Sequence, residues 1–536
     1  MRKTREKCLL YIGVCAALTP LLLLRDFTPS NELRYLSIAD EALRNHTFFT
    51  FSNHGVPYTD KPPLYLWLVM LFRWLTGAHR MWLLGLISLI PACGILRVMD
   101  RWTEKSMGSD GRQLAQWLLL TCGLFLGAAI TVRMDMLMCW FIVLALHAFW
   151  RMQSGEGMRD GSHWRFPLYL FLAVFTKGPL GLLIPLASTV VFLVARKRTK
   201  EVFRYWGWRT WGVLLLCFAL WFGAVYAEGG SQYLHDLLFK QTAGRAVHAF
   251  HHAHPAYYYA LSIWYCLAPW SLLVIGTVTV ALRPKCIRSD LQCFFLTVGA
   301  TTFVLLSTIS SKLSIYLLPA IPFLVYATAM FLPRYRQNRW MRLAVSIPAG
   351  VFALALPALA VTATVCASTL PYLKEGLFYA SATILSLSGG HAIYLLYNRK
   401  QPTEVAAVVK HMALGLLLAL FTGGWAMPKV NVYTGYKALA EEALALSKAR
   451  HTTHFRTWRV SRPEGMDVYL HHPVDVIADE DEPHECSKPS LLLIPQEELA
   501  RFKGLETHQV GPYAIVVCPG VPTNNAHARQ KESPKA

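Results

Sequence analysis

The sequence is poor in charge: 16% of its 536 residues are charged, whereas 54% are hydrophobic. Soluble domains carry about 25% charged residues, so this composition argues against an ordinary soluble enzyme. The apolar residues form repeated runs of about 20, which is the length of a membrane-spanning helix. The composition therefore predicts an all-α polytopic membrane protein. The thirteen candidate spans are 8–24, 80–98, 114–132, 134–151, 164–177, 179–196, 209–227, 257–282, 292–309, 313–332, 343–364, 377–397 and 408–427.

Several familiar signatures are missing from the chain. The region 429–520 lacks a Gly-rich phosphate loop, a metal-ligand quartet and a nucleophile elbow, so we assign it no chemistry. The chain has no internal repeat, a feature that many transporters show. No small-x-small cleavage site follows the first apolar run, which is therefore predicted to be an uncleaved anchor.

Acidic residues are outnumbered by basic ones, 32 to 52, which gives a formal charge of +20. If the N-terminus is cytoplasmic and the spans alternate, most basic residues before 428 fall on the cytoplasmic side. This is the positive-inside asymmetry, so the excess is a topology signal and no nucleic-acid partner is predicted. The same alternation places the region after residue 428 outside the cytoplasm.

The polar segments define the expected domains. Residues 1–428 form the transmembrane domain, and its 25–79 extracytoplasmic loop, called here the first loop, is too long for a simple connector. Amphipathic 31–44 and apolar 64–75 are predicted to be helices on the membrane surface. Residues 429–520 are expected to form a small α/β domain, and the tail 521–536 to be disordered. In the α/β domain we expect helices at 436–448 and 496–502, with strands at 455–460, 466–471, 491–494 and 513–518.

Ten of the twelve cysteines lie in or beside the spans, where a thiol behaves as a small apolar group. Only Cys486 and Cys518 belong to the C-terminal region. Because disulfides persist outside the cytoplasm, we predict that these two residues form one.

A set of polar residues shares the extracytoplasmic end of the bundle. Charges in or beside apolar spans are costly, so they tend to face a cavity or a polar partner. Their common side of the membrane indicates a site that is open to lipid. The candidate residues are Asn31, Glu32, Asp60, Lys61, Arg133, Asp135, Lys177, Arg245, Lys312 and Tyr316.

Each member also has a plainer interpretation. Asn31 fits a helix N-cap, and Asp60 with Lys61 fits an exposed ion pair. The basic side chains at Arg133, Lys177 and Lys312 fit snorkelling to the membrane interface. The nearby histidines at 248, 251, 252 and 254 invite a metal, but their irregular spacing without a thiolate favours a polar loop or phosphate contacts. No metal or other cofactor is therefore predicted.

Carboxylates and cations in a lipid-facing pocket suit a lipid-linked anionic substrate. When a sugar leaves a polyprenyl phosphate, negative charge grows on the phosphate, and placed cations stabilise it. The available cations are Lys61, Lys177, Arg245 and Lys312. A carboxylate then deprotonates an acceptor hydroxyl or balances an oxocarbenium-like sugar. The candidate carboxylates are Glu32, Asp60 and Asp135.

Five short motifs in this order resemble those of the aminoarabinose transferase and protein mannosyltransferase group, which has the GT-C architecture. They are Asn31-Glu32-Leu33-Arg34-Tyr35, Tyr58-Thr59-Asp60-Lys61-Pro62-Pro63-Leu64, Arg133-Met134-Asp135, Thr176-Lys177-Gly178-Pro179 and Ser311-Lys312-Leu313-Ser314-Ile315-Tyr316-Leu317-Leu318-Pro319. The resemblance implies an inner-membrane enzyme that uses an undecaprenyl-phosphate-linked sugar, with a lipid A phosphate as acceptor in the aminoarabinose transferases. It also implies that Lys61 holds the carrier phosphate, while Glu32 and Asp135 shape the sugar and acceptor sites.

One position departs from the family, which usually has an acidic pair where this chain has Asn31-Glu32. An amide cannot take a proton, so a hydroxyl acceptor would need Glu32, Asp60 or Asp135 as the base. A phosphate acceptor is already anionic and needs no base. Asn31 therefore favours a phosphate acceptor or a binding role at that position, and it disfavours aminoarabinose as the sugar.

Two other functions compete with transfer to a lipid. One is glycosylation of protein Ser or Thr, as in the mannosyltransferases. The other is transport of a lipid-linked sugar, which the absence of repeats and the one-sided polar cluster disfavour. The expected partners are the polyprenyl-phosphate sugar, a lipid A-like acceptor and membrane lipids, and we expect a monomer.

Overall fold

The computed structural model describes residues 2–156, 160–243, 254–335, 339–398, 404–481, 483 and 488–519. The described chain is mainly helical and divides into two compact units. The first unit contains residues up to Leu24 together with Ala42–Ala426. The second contains Arg25–Glu41 and the residues from Met427 onward.

The apolar runs form helices because a helix satisfies its own backbone hydrogen bonds in lipid. Before residue 427 the α-helices are α1 Arg2–Leu24, α2 Arg34–Asn45, α3 Pro63–Thr76, α4 Met81–Trp102, α5 Ser109–Leu120, α6 Gly123–Ile130, α7 Asp135–Gln153, α8 Ser162–Lys177, α9 Leu180–Ala195, α10 Val202–Tyr205, α11 Trp208–His235, α12 Tyr258–Cys266, α13 Ser271–Ala281, α14 Asp290–Thr308, α15 Ile321–Phe331, α16 Arg339–Ala353, α17 Ala355–Val365, α18 Gly376–Tyr397 and α19 Val405–Gly424. Shorter turns include the π-helices Pro29–Leu33 and Asp236–Ala243, and the 3₁₀ helices Thr199–Glu201, Pro284–Cys286, Ser314–Ala320, Leu332–Tyr335 and Pro371–Lys374.

Within the described residues, six helical segments are long and apolar enough to cross a membrane, or up to nine if each bent pair is one span. All thirteen predicted stretches contain helix, but several are interrupted. The stretch 257–282 consists of α12 and α13, which are separated near Pro269, a residue that has no N–H for a helix. The stretch 114–132 consists of α5 and α6, bent by 65°. The count of thirteen spans stays a prediction.

Two adjacent helices set up the candidate site in the first unit. Helix α7 packs along α8, and the chain reverses direction between them, so the start of α7 lies beside the end of α8. The chain leaves α8 through Gly178, whose φ of +113° is a value that non-glycine residues rarely adopt. A Cβ at Gly181 would come within 2.4 Å of the Ala173 backbone, so α9 approaches α8 closely because position 181 is glycine.

The second unit contains helices and a five-stranded sheet. Its α-helices are α20 Met427–Thr434, α21 Lys437–Arg450 and α22 Asp467–Leu470, and its 3₁₀ helices are Pro463–Met466 and Gln496–Arg501. Its strands are β3 Phe455–Trp458, β4 Val474–Ile477, β5 Ser490–Pro495, β6 Thr507–Val510 and β7 Tyr513–Cys518. The strand order is β4-β3-β5-β7-β6. Strand β3 is parallel to β4 and β5, and β7 is antiparallel to β5 and β6.

The second unit confirms most of the elements predicted from its sequence and corrects one. The predicted strand 466–471 is instead the end of a 3₁₀ turn followed by α22. Met466, Val468 and Leu470 are buried in alternation, as in a strand, but Pro463 begins a helical turn and His471 ends it with φ of +56°. Strands β4 and β6 were not predicted. The separate status of 429–520 as a periplasmic domain stays a prediction.

Residues 25–41 of the first loop belong to the second unit. Ser37 donates a hydrogen bond to Asp467 at 2.7 Å. A Cβ at Gly465 would come within 3.0 Å of the Leu33 Cβ, so the π-helical turn lies closely against this glycine. The helix predicted at 31–44 is confirmed as this turn followed by α2, and the helix predicted at 64–75 is confirmed as α3.

Candidate active site

Asp135 and Lys177 form a buried ion pair where α7 begins and α8 ends. The Lys177 ammonium binds Asp135 Oδ1, and Arg133 Nε donates to Asp135 Oδ2 at 3.1 Å. The side chains of Asp135 and Lys177 are 2% and 8% exposed. Withdrawing charges from water is costly, and mutual pairing offsets this cost. The motifs that contain Arg133, Asp135 and Lys177 meet at this point of the structure.

The turn that carries Arg133 is fixed by α4. Ser88 Oγ donates to the Thr131 carbonyl oxygen at 2.6 Å and lies 3.3 Å from the Arg133 carbonyl oxygen. Ser88 is fully buried, so this contact is shielded from competing solvent. Arg133 thus approaches Asp135 from a constrained backbone, and simple snorkelling does not describe it.

Tyr316 joins this pair from the 3₁₀ helix Ser314–Ala320. The Lys177 Nζ lies 4.4 Å from the centroid of the Tyr316 ring, within the range of a cation–π contact. We call Arg133, Asp135, Lys177 and Tyr316 the Asp135 cluster. Lys61 of the first loop is close enough for its charge to act on Lys177.

Asp60 and Lys61 follow the hairpin formed by β1, Ser52–Asn53, and β2, Val56–Pro57. Lys61 Nζ lies 3.1 Å from Asp60 Oδ2, and the Tyr58 hydroxyl lies 3.4 Å from the same oxygen. The two charged side chains are 15% and 14% exposed, so they are not the exposed surface pair of the plainer interpretation. Residues Pro62 and Pro63 then begin α3.

Lys312 is also buried, at 3% exposure, and is held by backbone oxygens. Its ammonium donates to the His254 carbonyl at 3.0 Å and to the Ile309 carbonyl at 2.5 Å. Both acceptors are neutral backbone carbonyl oxygens. Its predicted contact with the donor phosphate stays a prediction. Arg245, His248, His251 and His252 lie outside the described residues.

Glu32 and Asn31 belong to the second unit. Glu32 is fully buried and accepts two hydrogen bonds from the Arg25 guanidinium, both at 2.8 Å, and one from the Thr28 N–H at 2.7 Å. We call Arg25, Thr28 and Glu32 the Glu32 cluster. Asn31 Oδ1 accepts from Arg34 Nη2 at 3.3 Å. Thr28 is the residue at the N-cap position, and Asn31 lies inside the π-helical turn, so the N-cap interpretation of Asn31 is wrong.

Burial perturbs other ionisable groups of the second unit. Desolvation raises the pKa of the Asp26 carboxyl, while the positive charge of Lys437 opposes this shift. Desolvation also raises the pKa of the Tyr469 hydroxyl, and the negative charges of Asp26 and Glu32 raise it further. Glu32 therefore lies in an environment that already contains another carboxyl.

Glu228, which lies on α11, was not predicted to be a site residue. Its carboxylate accepts the backbone N–H groups of residues 48–50 and the Thr50 hydroxyl. The available signal was an acid at the end of an apolar run, directly before Gly229 and Gly230. Over the part of the chain that the structure describes, no group of three or more His, Cys, Asp or Glu residues could hold a metal ion.

No protein-family model matches the chain. A protein of Aquifex aeolicus, described as uncharacterized, is 26% identical over 304 residues, which is 56% of this chain and 59% of that protein. The undecaprenyl phosphate-alpha-4-amino-4-deoxy-L-arabinose arabinosyl transferase of Shewanella sediminis is 22% identical over 491 residues, 88% of this chain and 87% of the relative. The chain thus spans less than two thirds of the first relative and most of the second.

A solved structure shares the fold. ArnT from Cupriavidus metallidurans, in a crystal structure bound to undecaprenyl phosphate, superposes with a TM-score of 0.75 at 18% identity. The match covers 96% of this chain and 98% of that chain. The predicted resemblance to aminoarabinose transferases is confirmed, and the chain has the fold of ArnT.

Proposed function

We propose that the chain is an integral-membrane glycosyltransferase that moves a sugar from an undecaprenyl-phosphate-linked donor to a lipid A-type acceptor. The observation that carries this proposal is the buried Asp135 cluster, with Lys61 in electrostatic range, inside an ArnT fold. The name of the Shewanella relative supports the class of reaction and donor.

The charges of the cluster suit an anionic leaving group. Lys61, Lys177 and Arg133 bring three positive charges against the two carboxylates of Asp60 and Asp135. The net charge of these five groups is positive, which favours a phosphate. In a buried site the cations stabilise the charge that develops on the carrier phosphate as the sugar departs.

The carboxylates have separate roles in this proposal. Asp135 is held on both oxygens by cations, so it is oriented to accept hydrogen bonds from the sugar or acceptor. Asp60 adjoins Lys61 and is placed to balance positive charge on the sugar ring. Glu32 is the third candidate. Since Asn31 cannot act as a base, we favour a phosphate oxygen of lipid A as the nucleophile, and we leave the sugar open.

We also propose an orientation of the chain in the membrane and boundaries for its two regions. We place the site and the region 429–520 on the periplasmic face of the bacterial inner membrane, with thirteen spans in residues 1–428. The positive-inside distribution supports this orientation. We propose a monomer, with Lys61, Arg245, Lys177, Lys312 and Tyr316 serving the donor phosphate.

To test this proposal, purified protein in nanodiscs is incubated with an undecaprenyl-phosphate-linked sugar. The sugar of the donor is first aminoarabinose and then other pentoses and hexoses. Lipid A or a Ser/Thr-rich peptide is the acceptor, and mass spectrometry identifies the products. We expect glycosylated lipid A and free undecaprenyl phosphate. A glycosylated peptide would instead support protein O-glycosylation. Passage of the intact donor across a vesicle membrane, without bond cleavage, would support transport and contradict the proposal.

A further inference from the structure

The Glu228 carboxylate of α11 binds the first loop. Glu228 Oε1 accepts from the N–H groups of Phe49 at 3.0 Å and Thr50 at 2.8 Å, and from Thr50 Oγ1 at 2.6 Å. The Phe48 N–H lies 3.1 Å from both carboxylate oxygens. Hydrogen bonds to an ionised acceptor are stronger than neutral ones, so this contact holds three consecutive residues of the loop.

Tyr233 holds the same loop closer to Asp60 and Lys61. Its hydroxyl accepts from the Phe51 N–H at 2.9 Å and donates to the Tyr58 carbonyl at 2.9 Å. Phe51 and Tyr58 also bond to each other across the base of the hairpin, at 2.7 Å. Tyr233 therefore fixes both ends of the hairpin, two residues before Asp60.

A glycine pair allows both side chains to meet the loop. Gly230 has φ of +73° and interrupts the helical backbone between Glu228 and Tyr233. A Cβ at Gly229 would lie 2.5 Å from Thr50 Cγ2, so the close approach of α11 to the loop needs glycine there. We call Glu228 and Tyr233 the α11 clamp.

We propose that the α11 clamp is a positioning device that fixes the Lys61 ammonium for binding of the carrier phosphate. This inference rests on the proposed function. Tyr233 binds the carbonyl oxygen of Tyr58, three residues before Lys61, and the Lys61 ammonium lies 3.1 Å from Asp60 Oδ2. Without the clamp, this segment of the loop would sample several positions, and the phosphate would have to order it on binding. The clamp orders Lys61 before the phosphate arrives, and thereby preorganises the site.

The decisive measurement is the affinity of the membrane protein in nanodiscs for undecaprenyl phosphate itself. We expect Glu228→Gln and Tyr233→Phe each to weaken binding about 10-fold in the native background. In a Lys61→Ala background the same changes are expected to have no further effect, because the group that they position is gone. Equal losses in both backgrounds would assign the clamp to general stability and overturn the proposal, as would no loss in either.

Hydrogen–deuterium exchange provides a readout that does not depend on the reaction. The amides of residues 48–51 should exchange faster in Glu228→Gln and Tyr233→Phe, and unchanged exchange would contradict the clamp. The matched controls are Tyr226→Phe, an exposed tyrosine on the same helix, and Glu375→Gln at the start of α18. Both should bind undecaprenyl phosphate like the unmodified protein. If the unmodified protein binds no undecaprenyl phosphate, the proposed function and the phosphate-positioning role are both overturned, even where the clamp variants alter exchange.

Discussion

Two buried carboxylates of this chain, Asp135 and Glu32, are surrounded differently. Both Glu32 oxygens accept hydrogen bonds from the Arg25 guanidinium, and Oε2 also accepts one from the Thr28 N–H, so these contacts join residues only a few positions apart. Asp135 instead joins Arg133 to Lys177, which lies 42 residues away and also contacts Tyr316. Within the Glu32 cluster as defined by its three residues, one guanidinium pairs with one carboxylate. The Asp135 cluster, with Lys61 nearby, has more cations than acids.

The two clusters therefore suit different roles. The charge of Glu32 orders the nearby backbone, whereas the charges of the Asp135 cluster can bind a ligand. A bidentate pair whose partners are close in sequence fixes a local turn and leaves little charge for a substrate. A cluster with excess positive charge, built from distant segments, gains stability when an anion binds. The comparison predicts that changes at Lys61 and in the Asp135 cluster affect transfer more than changes in the Glu32 cluster.

The largest effect is expected at Lys61. Lys61→Ala should lower sugar transfer roughly 100- to 1,000-fold, as when one group that stabilises transition-state charge is removed. The melting temperature should change little, because a charged contact is lost and no core group is removed. The control is Lys374→Ala, an exposed lysine of the same unit, which should retain full transfer. Retained transfer in Lys61→Ala would contradict the site.

The second largest loss of sugar transfer is expected at Asp135. Asp135→Asn should lower transfer about 100-fold and destabilise the protein by about 3–5 kcal/mol, because it leaves Lys177 buried beside an uncharged partner. The double variant Asp135→Leu with Lys177→Met removes both charges and should recover much of the melting temperature but not transfer. Transfer that recovers along with stability would show that the pair is purely structural.

A smaller effect is expected in the Glu32 cluster. Glu32→Gln should lower transfer about 10-fold, because it replaces charge-assisted hydrogen bonds that contribute about 1.5–3 kcal/mol each with weaker ones. Arg25→Gln should weaken the same contacts and lower the melting temperature, as Glu32→Gln does, but it should reduce transfer less, because it retains Glu32, one of the three candidate carboxylates. Equal losses of transfer in Glu32→Gln and Arg25→Gln would show that Glu32 stabilises its turn and would contradict a catalytic role.

The smallest effect on transfer is expected from the cysteines. Cys518 is buried at the end of β7, and Cys486 lies outside the described residues. We expect both thiols to resist labelling in unfolded protein without reductant and to react after reduction. Cys518→Ser should leave transfer unchanged while it lowers the stability of this region by about 2–4 kcal/mol. Labelling of both thiols without reductant would exclude the disulfide.

The site was predicted in part because its motifs carry costly charges at the ends of apolar runs. Asp135, Lys177 and Tyr316 were named from sequence, and the structure brings them together. Glu228 was missed because its partners are backbone N–H groups 178 to 180 residues away, and backbone groups leave no mark on a sequence. The strand predicted at 466–471 failed because alternating burial over a few residues fits a strand and a short helical turn alike.

The sequence by itself determined the positions of the apolar helices, because long hydrophobic runs in a membrane have few ways to satisfy their backbone groups. It also determined which residue types are available for chemistry. Only the tertiary structure decided which helix ends meet, which carboxylate receives two cations and which one binds a neighbouring arginine. Those contacts depend on the packing of segments far apart in the chain, such as α7 on α8 and α11 on the first loop. Periodicity identifies the buried face of a helix, but it does not identify the neighbour.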